Sequence, residues 1–208
     1  MGLRRALTLQ NIIDAKIPRF PFTGAWYDAF GTPQSCGIWF IFGESGSGKT
    51  SFLLNLMKCL SQYTNGVLME SHEEGEISAA LQDGIKRLGL LDIKRKIYVV
   101  DETIPDMVER LSIPKSPNVV LIDSIECSDF KDINQVIELK YQFPKKLFIY
   151  IGQASGAKPR SALGESILFV ANQKIRIEGY RALCRGRSFG PKKFFTIWDE
   201  EANIYWEK

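Results

Sequence analysis

A ten-residue stretch from Gly43 to Phe52, GESGSGKTSF, constrains the fold of this chain more than any other segment. It satisfies the pattern G-x-x-x-x-G-K-[ST], follows the apolar run IWFIF and precedes a segment with helical spacing of its apolar residues. Glycines at these places let backbone N–H groups turn inward around a phosphate, at the positive end of the following helix. We therefore predict a phosphate-binding loop between a strand and a helix. Its residues are Gly43, Glu44, Ser45, Gly46, Ser47, Gly48, Lys49, Thr50 and Ser51.

Two side chains at the end of this loop have specific expected roles. Lys49 should reach the β- and γ-phosphates of a nucleotide, and the Thr50 hydroxyl should ligate Mg²⁺. ATP and Mg²⁺ are therefore the expected ligands. The alternative is a turn rich in glycine and serine that matches the pattern by chance. The predicted strand before the loop and the predicted helix after it favour the phosphate-binding loop.

A carboxylate for the metal stands at the end of a later apolar run, NVVLIDS, whose strand-like part ends at Asp123. At the carboxyl edge of a sheet, this side chain would hold Mg²⁺ through water, together with Thr50. An aspartate at a strand end is also a common helix cap, so that interpretation stays open.

Several acidic residues follow the second predicted strand. The segment ESHEEGE, residues 70–76, places Glu73 and Glu74 just past the tip of that strand. A carboxylate there can accept a proton from a water molecule that lies in line with the γ-phosphate. Either residue could supply this general base. The alternative is that these acids cap the next helix and compensate its dipole.

The pattern of apolar residues predicts an α/β fold. Up to Gly164, short apolar runs alternate with segments of helical spacing, which is typical of a parallel sheet covered by helices on both faces. After Gly164 the runs are short and separated by glycine and asparagine, which favours antiparallel strands that extend the sheet. The expected parallel strands are IWFIF, VLMES, KIYVVD, PNVVLID and KLFIYIG, and the expected antiparallel strands are SILFV, QKIRIEG, FFTIWD and NIYWEK.

Composition limits the class of protein further. The chain has 208 residues, of which 45% are hydrophobic, so it is long enough for one domain with a full core. It contains no apolar run of about 18 residues, so no membrane span is expected. Its four cysteines form no C-x-x-C pair and it has one histidine, which excludes a Cys/His zinc module. Free thiols, and therefore a cytoplasmic location, are expected.

Basic residues are concentrated in one part of the chain. Residues 140–194 contain twelve lysines and arginines but only two acidic residues, whereas the whole chain has a net charge of +3. Such a segment can meet the phosphates of a polymer or of a nucleotide. A solvated basic surface is the alternative.

Taken together, these segments resemble the RecA-like ATPases, most closely their RadA/KaiC/DnaB branch. FTGAWYDAFGTPQSCGIWFIFGESGSGKT is similar to that group's approach to the phosphate loop, and VLMESHEEGEIS is similar to its strand-and-diglutamate block. VVLIDSI and IYIGQAS match the group's next two strands in the same order. The resemblance covers roughly residues 22–206. A compact stand-alone core of this kind is similar to those carried by phages and mobile elements.

The resemblance implies a RecA-like P-loop fold over residues 22–208, preceded by an N-terminal helical arm over residues 1–21. That arm could link subunits or could pack on its own core. The resemblance also implies that Glu73 is the catalytic base, with Glu74 next in line, and that Gln153 senses the γ-phosphate.

A DNA-contacting loop is a further implication of the resemblance. It would fall on residues 154–165, where Lys158 and Arg160 supply two cations that could grip phosphates without reading bases. A solvated loop is the alternative.

The segment LCRGRSFGPKKFF resembles a basic strand that, in the same group, reaches into a neighbouring subunit's nucleotide site. Arg185 and Arg187 fit that pattern, although the spacing to Gly190 is one residue longer than usual. The resemblance thus implies an active site that is completed between subunits. Two surface arginines on a strand are the alternative.

These observations favour a Mg²⁺-dependent ATPase that acts as a homo-oligomer, either a ring or a filament, on single-stranded DNA in recombination, repair or replication. Two other classes stay open. One is a nucleoside or small-molecule kinase, in which Arg181, Arg185 and Arg187 would belong to a lid. The other is a regulatory ATPase switch that binds a protein partner.

Overall fold

The computed structural model describes residues 5–207, except for the side chains of Lys94 and Arg95. Its strands are β1 (Gly37–Gly43), β2 (Val67–Ser71), β3 (Ile97–Val100), β4 (Val119–Asp123), β5 (Leu147–Ser155), β6 (Lys158–Pro159), β7 (Gln173–Glu178), β8 (Arg181–Cys184) and β9 (Phe194–Thr196). Its helices are α1 (Leu9–Ile13), α2 (Gly24–Phe30), α3 (Lys49–Leu60), α4 (Ala79–Arg87), α5 (Ile104–Ser112), α6 (Ile133–Gln142), α7 (Ala162–Val170) and α8 (Asp199–Trp206). A 3-10 helix spans Leu90–Lys96.

The strands form one sheet in the order β3-β2-β4-β5-β1-β7-β8-β9, with β6 beside β5. The six strands from β3 to β7 in that order run parallel to one another. β8 and β9 continue the sheet in antiparallel pairing. The predicted α/β class, a mainly parallel sheet with antiparallel strands near its C-terminal end, is therefore confirmed.

The central strands are apolar on both faces because helices cover both faces of the sheet. All seven residues of β1 are buried. Since side chains alternate along a strand, Trp39 and Ile41 join a core cluster with α2, α3 and α4, whereas Phe40 and Phe42 join a second cluster with α5, α6 and α7. This packing holds β1 rigidly behind the glycine-rich loop that follows it.

Two segments that the sequence pattern assigned to strands are helices instead. SILFV lies in α7, where the Ser161 hydroxyl accepts a 3.1 Å hydrogen bond from the N–H of Gly164 and caps the helix. Most of NIYWEK lies in α8, whose first turn carries the acidic residues Asp199, Glu200 and Glu201. Negative charge there stabilises a helix N-terminus, and this outweighs the β-propensity of the aromatic residues.

The strand QKIRIEG also differs from expectation, because β7 is parallel to β1 rather than antiparallel. α7 carries the chain back across the sheet before β7 begins, and a crossover helix of this kind joins parallel strands. The antiparallel extension therefore starts one strand later, at β8.

The N-terminal segment contains a short helix and little packing. The first four residues of the predicted arm lie outside the described range, and every side chain from residue 5 to residue 19 is exposed. α1 is only five residues long, and Thr8 caps it. Phe20 is the first buried side chain of the described chain. No described helix is long and apolar enough to cross a membrane.

Candidate functional site

A cleft of about 330 Å³ lies at the carboxyl edge of the parallel strands, where the loops after β1, β2, β4 and β5 converge. Parallel strands bring their carboxyl ends together at one edge, so residues far apart in sequence meet there. The lining contains Ser45, Gly46, Gly48, Lys49, Thr50, Ser51, Glu73, Glu74, Asp123, Gln153, Tyr180 and Trp198.

The glycine-rich loop is closed around the Lys49 ammonium group. Lys49 Nζ donates hydrogen bonds to the carbonyl oxygens of Gly43 and Glu44, both at 2.9 Å. Gly48 has a φ of 98°, a left-handed conformation that favours glycine, and α3 begins at the next residue. The N-terminus of α3 therefore points at the cleft with its free N–H groups, which is the arrangement that binds phosphate.

A line of hydrogen bonds crosses the cleft from Lys49 to Glu73. Lys49 Nζ donates to Gln153 Oε1 at 3.1 Å, and Gln153 Nε2 donates to both carboxylate oxygens of Glu73 at 3.3 Å. Gln153 stands near the end of β5, and Glu73 stands two residues beyond β2. A carboxylate, a neutral amide and an ammonium group thus meet where the phosphate chain of a nucleotide would end.

Glu74 is placed differently from Glu73, although both line the cleft. Its Oε2 accepts a 2.7 Å hydrogen bond from the hydroxyl of Ser78. Ser78 is the residue that caps α4. Glu74 is therefore engaged at the start of the next helix, whereas Glu73 faces Gln153.

Asp123 is the last residue of β4, and its burial and the charges of Glu73 and Lys49 change its pKa. Burial, reinforced by the negative charge of Glu73 and partly offset by the Lys49 ammonium, raises the pKa of Asp123 to about 7. Burial also lowers the pKa of Lys49 below its ordinary value, and the surrounding carboxylates offset part of that effect. The charged groups are thus concentrated in a partly dehydrated cleft, where they interact more strongly than in water.

The oxygen donors suit Mg²⁺. Thr50 supplies a hydroxyl and Asp123 a carboxylate, and Mg²⁺ is commonly held by one or two such side chains together with substrate phosphates and water. Within residues 5–207, no group of three His, Cys, Asp or Glu side chains could hold a metal ion by itself.

Two aromatic residues in the lining were not anticipated from the sequence. The rings of Tyr180 and Trp198 meet edge to face, with centroids 5.9 Å apart. A Cβ atom added to Gly48 would lie 3.2 Å from the Tyr180 ring, so this pair stands directly beside the phosphate loop. Trp198 lies between β9 and α8, in the part of the predicted strand FFTIWD that follows β9, and Tyr180 occupies the tight turn between β7 and β8. An aromatic residue directly after the glycine of that turn is the signal that could have indicated it.

Glu126 is a third residue that was not anticipated, and it connects the cleft to the predicted DNA-contacting segment. One of its carboxylate oxygens accepts from the backbone N–H of Gln153 at 3.3 Å. The other accepts from the hydroxyl of Ser161 at 3.1 Å. It lies three positions after Asp123 in the sequence.

The predicted DNA-contacting loop is not an open loop. Residues 154–159 form a tight antiparallel pairing between the end of β5 and β6, and α7 begins soon afterwards. Lys158 and Arg160 are both exposed, and the backbone N–H of Arg160 bonds to the carbonyl of Gln153 at 2.8 Å. Neither cation lines the cleft.

Arg185 and Arg187 lie at the opposite edge of the sheet from the cleft. Because β8 runs antiparallel to β7, the chain returns towards the start of β7 before reaching them. Their backbone N–H groups donate to the carbonyls of Lys174 and Asn172, each at 2.8 Å. Both side chains are exposed, and both follow β8 rather than lying within a strand. This chain's own cleft therefore does not include them.

A buried carboxyl outside the cleft has an unusual protonation equilibrium. Glu70 of β2 is only 1% exposed, and one of its oxygens has no hydrogen-bond partner among the described residues. The other oxygen accepts from the backbone N–H of Glu102 at 3.3 Å. Burial, reinforced by the negative charge of Glu102, raises the pKa of Glu70 to about 7.

We expect Glu70 to make stability depend on pH. A carboxyl whose pKa is higher in the folded state stabilises the fold below its unfolded pKa, and that contribution is lost as the pH rises through the folded value. Relative to Glu70→Gln, the free energy of unfolding of the wild type should fall by about 2–3 kcal/mol between about pH 5 and about pH 8.5. Urea unfolding of both proteins at the two pH values measures this. If the free energies of unfolding of the wild type and Glu70→Gln differ by the same amount at both pH values, the raised pKa of Glu70 is contradicted.

Comparison with known proteins supports the fold. The structure is similar to that of a KaiC-like protein from the hyperthermophilic archaeon Pyrococcus horikoshii OT3, with a TM-score of 0.62 and 17% identity over 86% of this chain and 99% of the other. It is also similar to the flagellar accessory protein FlaH from Methanocaldococcus jannaschii, with a TM-score of 0.57 and 14% identity over 86% of this chain and 90% of the other. No protein-family model matches the sequence, and no curated protein sequence matches it. The fold is therefore RecA-like, as the resemblance implied.

Proposed function

We propose that this chain, with its RecA-like fold, binds ATP with Mg²⁺ in the cleft and hydrolyses it. The observation that carries the proposal is the line of hydrogen bonds from Lys49 through Gln153 to Glu73. It joins the phosphate-loop lysine to a carboxylate that can act as a general base. A site that only bound nucleotide would need the lysine and the loop but not the carboxylate.

Each residue has a role that follows from its position. The backbone N–H groups of residues 43–51 and the N-terminus of α3 would bind the phosphates, and Lys49 would contact the β- and γ-phosphates. Thr50 and Asp123 would hold Mg²⁺, which when bound neutralises negative charge on the phosphates. Glu73 would accept a proton from the attacking water, and the Gln153 amide would contact both the γ-phosphate and Glu73.

Glu73 is the better candidate for the base than Glu74. The Glu74 carboxylate is engaged by the hydroxyl of Ser78, beside the cap of α4. The Glu73 carboxylate instead faces the amide that also contacts Lys49. This geometry agrees with the role that the family resemblance implied for Glu73.

We further propose that Tyr180 and Trp198 form the wall against which the nucleotide base packs. The pair lines the cleft, and Tyr180 stands directly beside Gly48. The Trp198 indole N–H donates a 2.6 Å hydrogen bond to Glu200, which fixes the ring plane. A fixed aromatic surface stacks on a base at little cost in side-chain entropy.

Trp198→Ala should weaken nucleotide binding about tenfold, since stacking of one base on an aromatic ring contributes about 1–3 kcal/mol. Trp198→Phe keeps an aromatic surface and should stay close to the wild type. Fluorescence titration with a mant-labelled ATP analogue measures both dissociation constants. Equal affinities of the alanine variant and the wild type for mant-ATP would mean that the nucleotide base does not pack against Trp198.

Action on single-stranded DNA as an oligomer remains the proposed context. Its support is the basic segment of residues 140–194, the exposed Lys158 and Arg160, and the distance of Arg185 and Arg187 from their own cleft. Arginines that cannot reach their own cleft could reach the cleft of a neighbouring copy. In the described part of the proposed arm over residues 1–21, exposed apolar side chains such as Leu9 and Ile13 offer a further contact with that neighbour, and the chain from residue 22 onwards would be the ATPase core.

Phosphate release at low salt, with and without single-stranded DNA, tests this context. Stimulation by DNA, together with more than proportional inhibition when Lys49→Ala subunits are mixed in, would support a DNA-dependent oligomer with shared sites. Turnover that is indifferent to nucleic acid would favour the regulatory switch. Phosphate transfer to a small acceptor by a monomer would favour the kinase.

A further inference from the structure

The only histidine of the chain, His72, immediately precedes Glu73 but does not line the cleft. Its side chain is 11% exposed, and its Nδ1 lies 2.9 Å from Oδ1 of Asp101, the first residue after β3. The hydrolysis proposed above assigns it no task. An imidazole held against a carboxylate next to the general base therefore needs its own explanation.

The backbone at this point is held from the other side. The N–H groups of His72 and Glu73 both donate to the carbonyl oxygen of Asp123, at 2.7 and 3.3 Å. In the sheet, β2 lies between β3 and β4. The residue that follows β2 is thus tied to the end of β4 by its backbone and to the end of β3 by its side chain.

The other acids of this segment are held by neighbouring groups as well. Glu74 accepts from the Ser78 hydroxyl at 2.7 Å, and Glu76 accepts from the backbone N–H of Asp101 at 3.3 Å. Asp101 therefore contacts the segment twice, through its side chain and through its backbone. Glu73 is exposed, and the Gln153 amide is its hydrogen-bond partner across the cleft. The direction of the Glu73 side chain must therefore be set mainly by the backbone of residues 72–73.

We propose that His72 is a positioning residue whose hydrogen bond to Asp101 keeps the Glu73 carboxylate directed towards Gln153 and the phosphate loop. The inference rests on the hydrolysis proposed above and extends it to a residue outside the cleft. His72 does not touch the nucleotide, so its loss should affect the chemical step rather than binding. Misplacing a catalytic group by about 1 Å can cost about a hundredfold in rate.

The test compares His72→Ala, His72→Asn and Asp101→Ala with the wild type. We expect both alanine variants to lower kcat about tenfold or more, with KM for ATP and the affinity for mant-ATP within about threefold. His72→Asn should recover most of kcat, because its side-chain N–H can take the place of the imidazole Nδ1–H in the bond to Asp101. The double alanine variant should be no slower than either single variant, since both remove the same interaction.

Arg110→Ala provides a matched control. It removes the ion pair between Arg110 and Glu102, close to the same end of β3, without touching the segment after β2. We expect its kcat to equal that of the wild type. If His72→Ala keeps kcat within about twofold of the wild type, or if His72→Asn is as slow as His72→Ala, the positioning role is wrong.

Hydrogen exchange separates this inference from the proposed function, because it needs no turnover. The amides of residues 71–76 should exchange faster in His72→Ala than in the wild type and at the wild-type rate in His72→Asn. Unchanged exchange in His72→Ala would overturn the inference even if ATP is hydrolysed. A wild type that releases no phosphate, but shows the expected exchange pattern, would overturn the proposed function and leave the geometric role of His72 supported.

Discussion

Lys49→Ala is expected to reduce ATP turnover by about a hundredfold to a thousandfold, which is the range found when a donor to developing negative charge is removed from a preorganised site. The Lys49 ammonium group donates to the carbonyls of Gly43 and Glu44 and to Gln153, so the variant loses both a phosphate contact and a bond that closes the loop. Nucleotide affinity should fall as well. Steady-state phosphate release and mant-ATP titration measure the two effects.

Lys58→Ala is the matched control for that experiment. Lys58 stands on the same helix, α3, and its ammonium group bonds to the carbonyl of Leu88 at 2.7 Å, away from the cleft. The same chemical change at this position should leave turnover and affinity close to wild-type values. If Lys49→Ala hydrolysed ATP as fast as Lys58→Ala, the cleft described above would not be the site of hydrolysis.

Glu73→Gln is expected to slow hydrolysis by about a hundredfold to ten thousandfold while ATP stays bound, the range attributed to a positioned general base. The amide of glutamine can still accept a hydrogen bond from Gln153 but cannot take a proton from water. Affinity for mant-ATP should therefore stay near the wild-type value while phosphate release slows by that factor. A single-turnover measurement at saturating protein separates the two quantities.

Glu74→Gln is the matched control, because it changes a neighbouring carboxylate that also lines the cleft. The Glu74 carboxylate accepts a hydrogen bond from the Ser78 hydroxyl, so the change should destabilise the start of α4. We expect kcat to fall much less than in Glu73→Gln. If Glu74→Gln rather than Glu73→Gln stopped turnover, the assignment of the base would be wrong by one residue.

Much of the fold could be predicted because its central strands are buried on both faces. Continuous apolar runs such as IWFIF and the VVLI of NVVLIDS are typical of strands in the middle of a sheet covered by helices. The C-terminal region was harder, because SILFV is equally compatible with a buried strand and a buried helix. The cap formed by Ser161 and the acidic first turn of α8 decide those cases, and both are weak signals beside an apolar run.

Part of the candidate site could also be read from the sequence. The glycine-rich loop and the strand-end carboxylates have fixed positions relative to parallel strands, so their convergence follows from topology alone. The structure places Glu73, Asp123, Gln153 and Lys49 around one cleft. Their catalytic and metal-binding roles stay predictions until the variants above are measured.

The rest of the site depends on contacts that no local pattern encodes. Tyr180 and Trp198 reach the cleft only because β7, β8 and β9 extend the sheet beside β1. His72 contacts Asp101 because β2 and β3 are neighbours, although the two residues are 29 positions apart in the sequence. Contacts between residues this far apart in the sequence depend on the order of the strands in the folded sheet.

The most direct test of the account is a single-turnover reaction of the wild-type chain with γ-³²P-labelled ATP and Mg²⁺, in which the labelled product is identified by thin-layer chromatography. We expect labelled inorganic phosphate, formed by the wild type and not by Glu73→Gln. Unchanged labelled ATP, or label transferred to another acceptor, would contradict it.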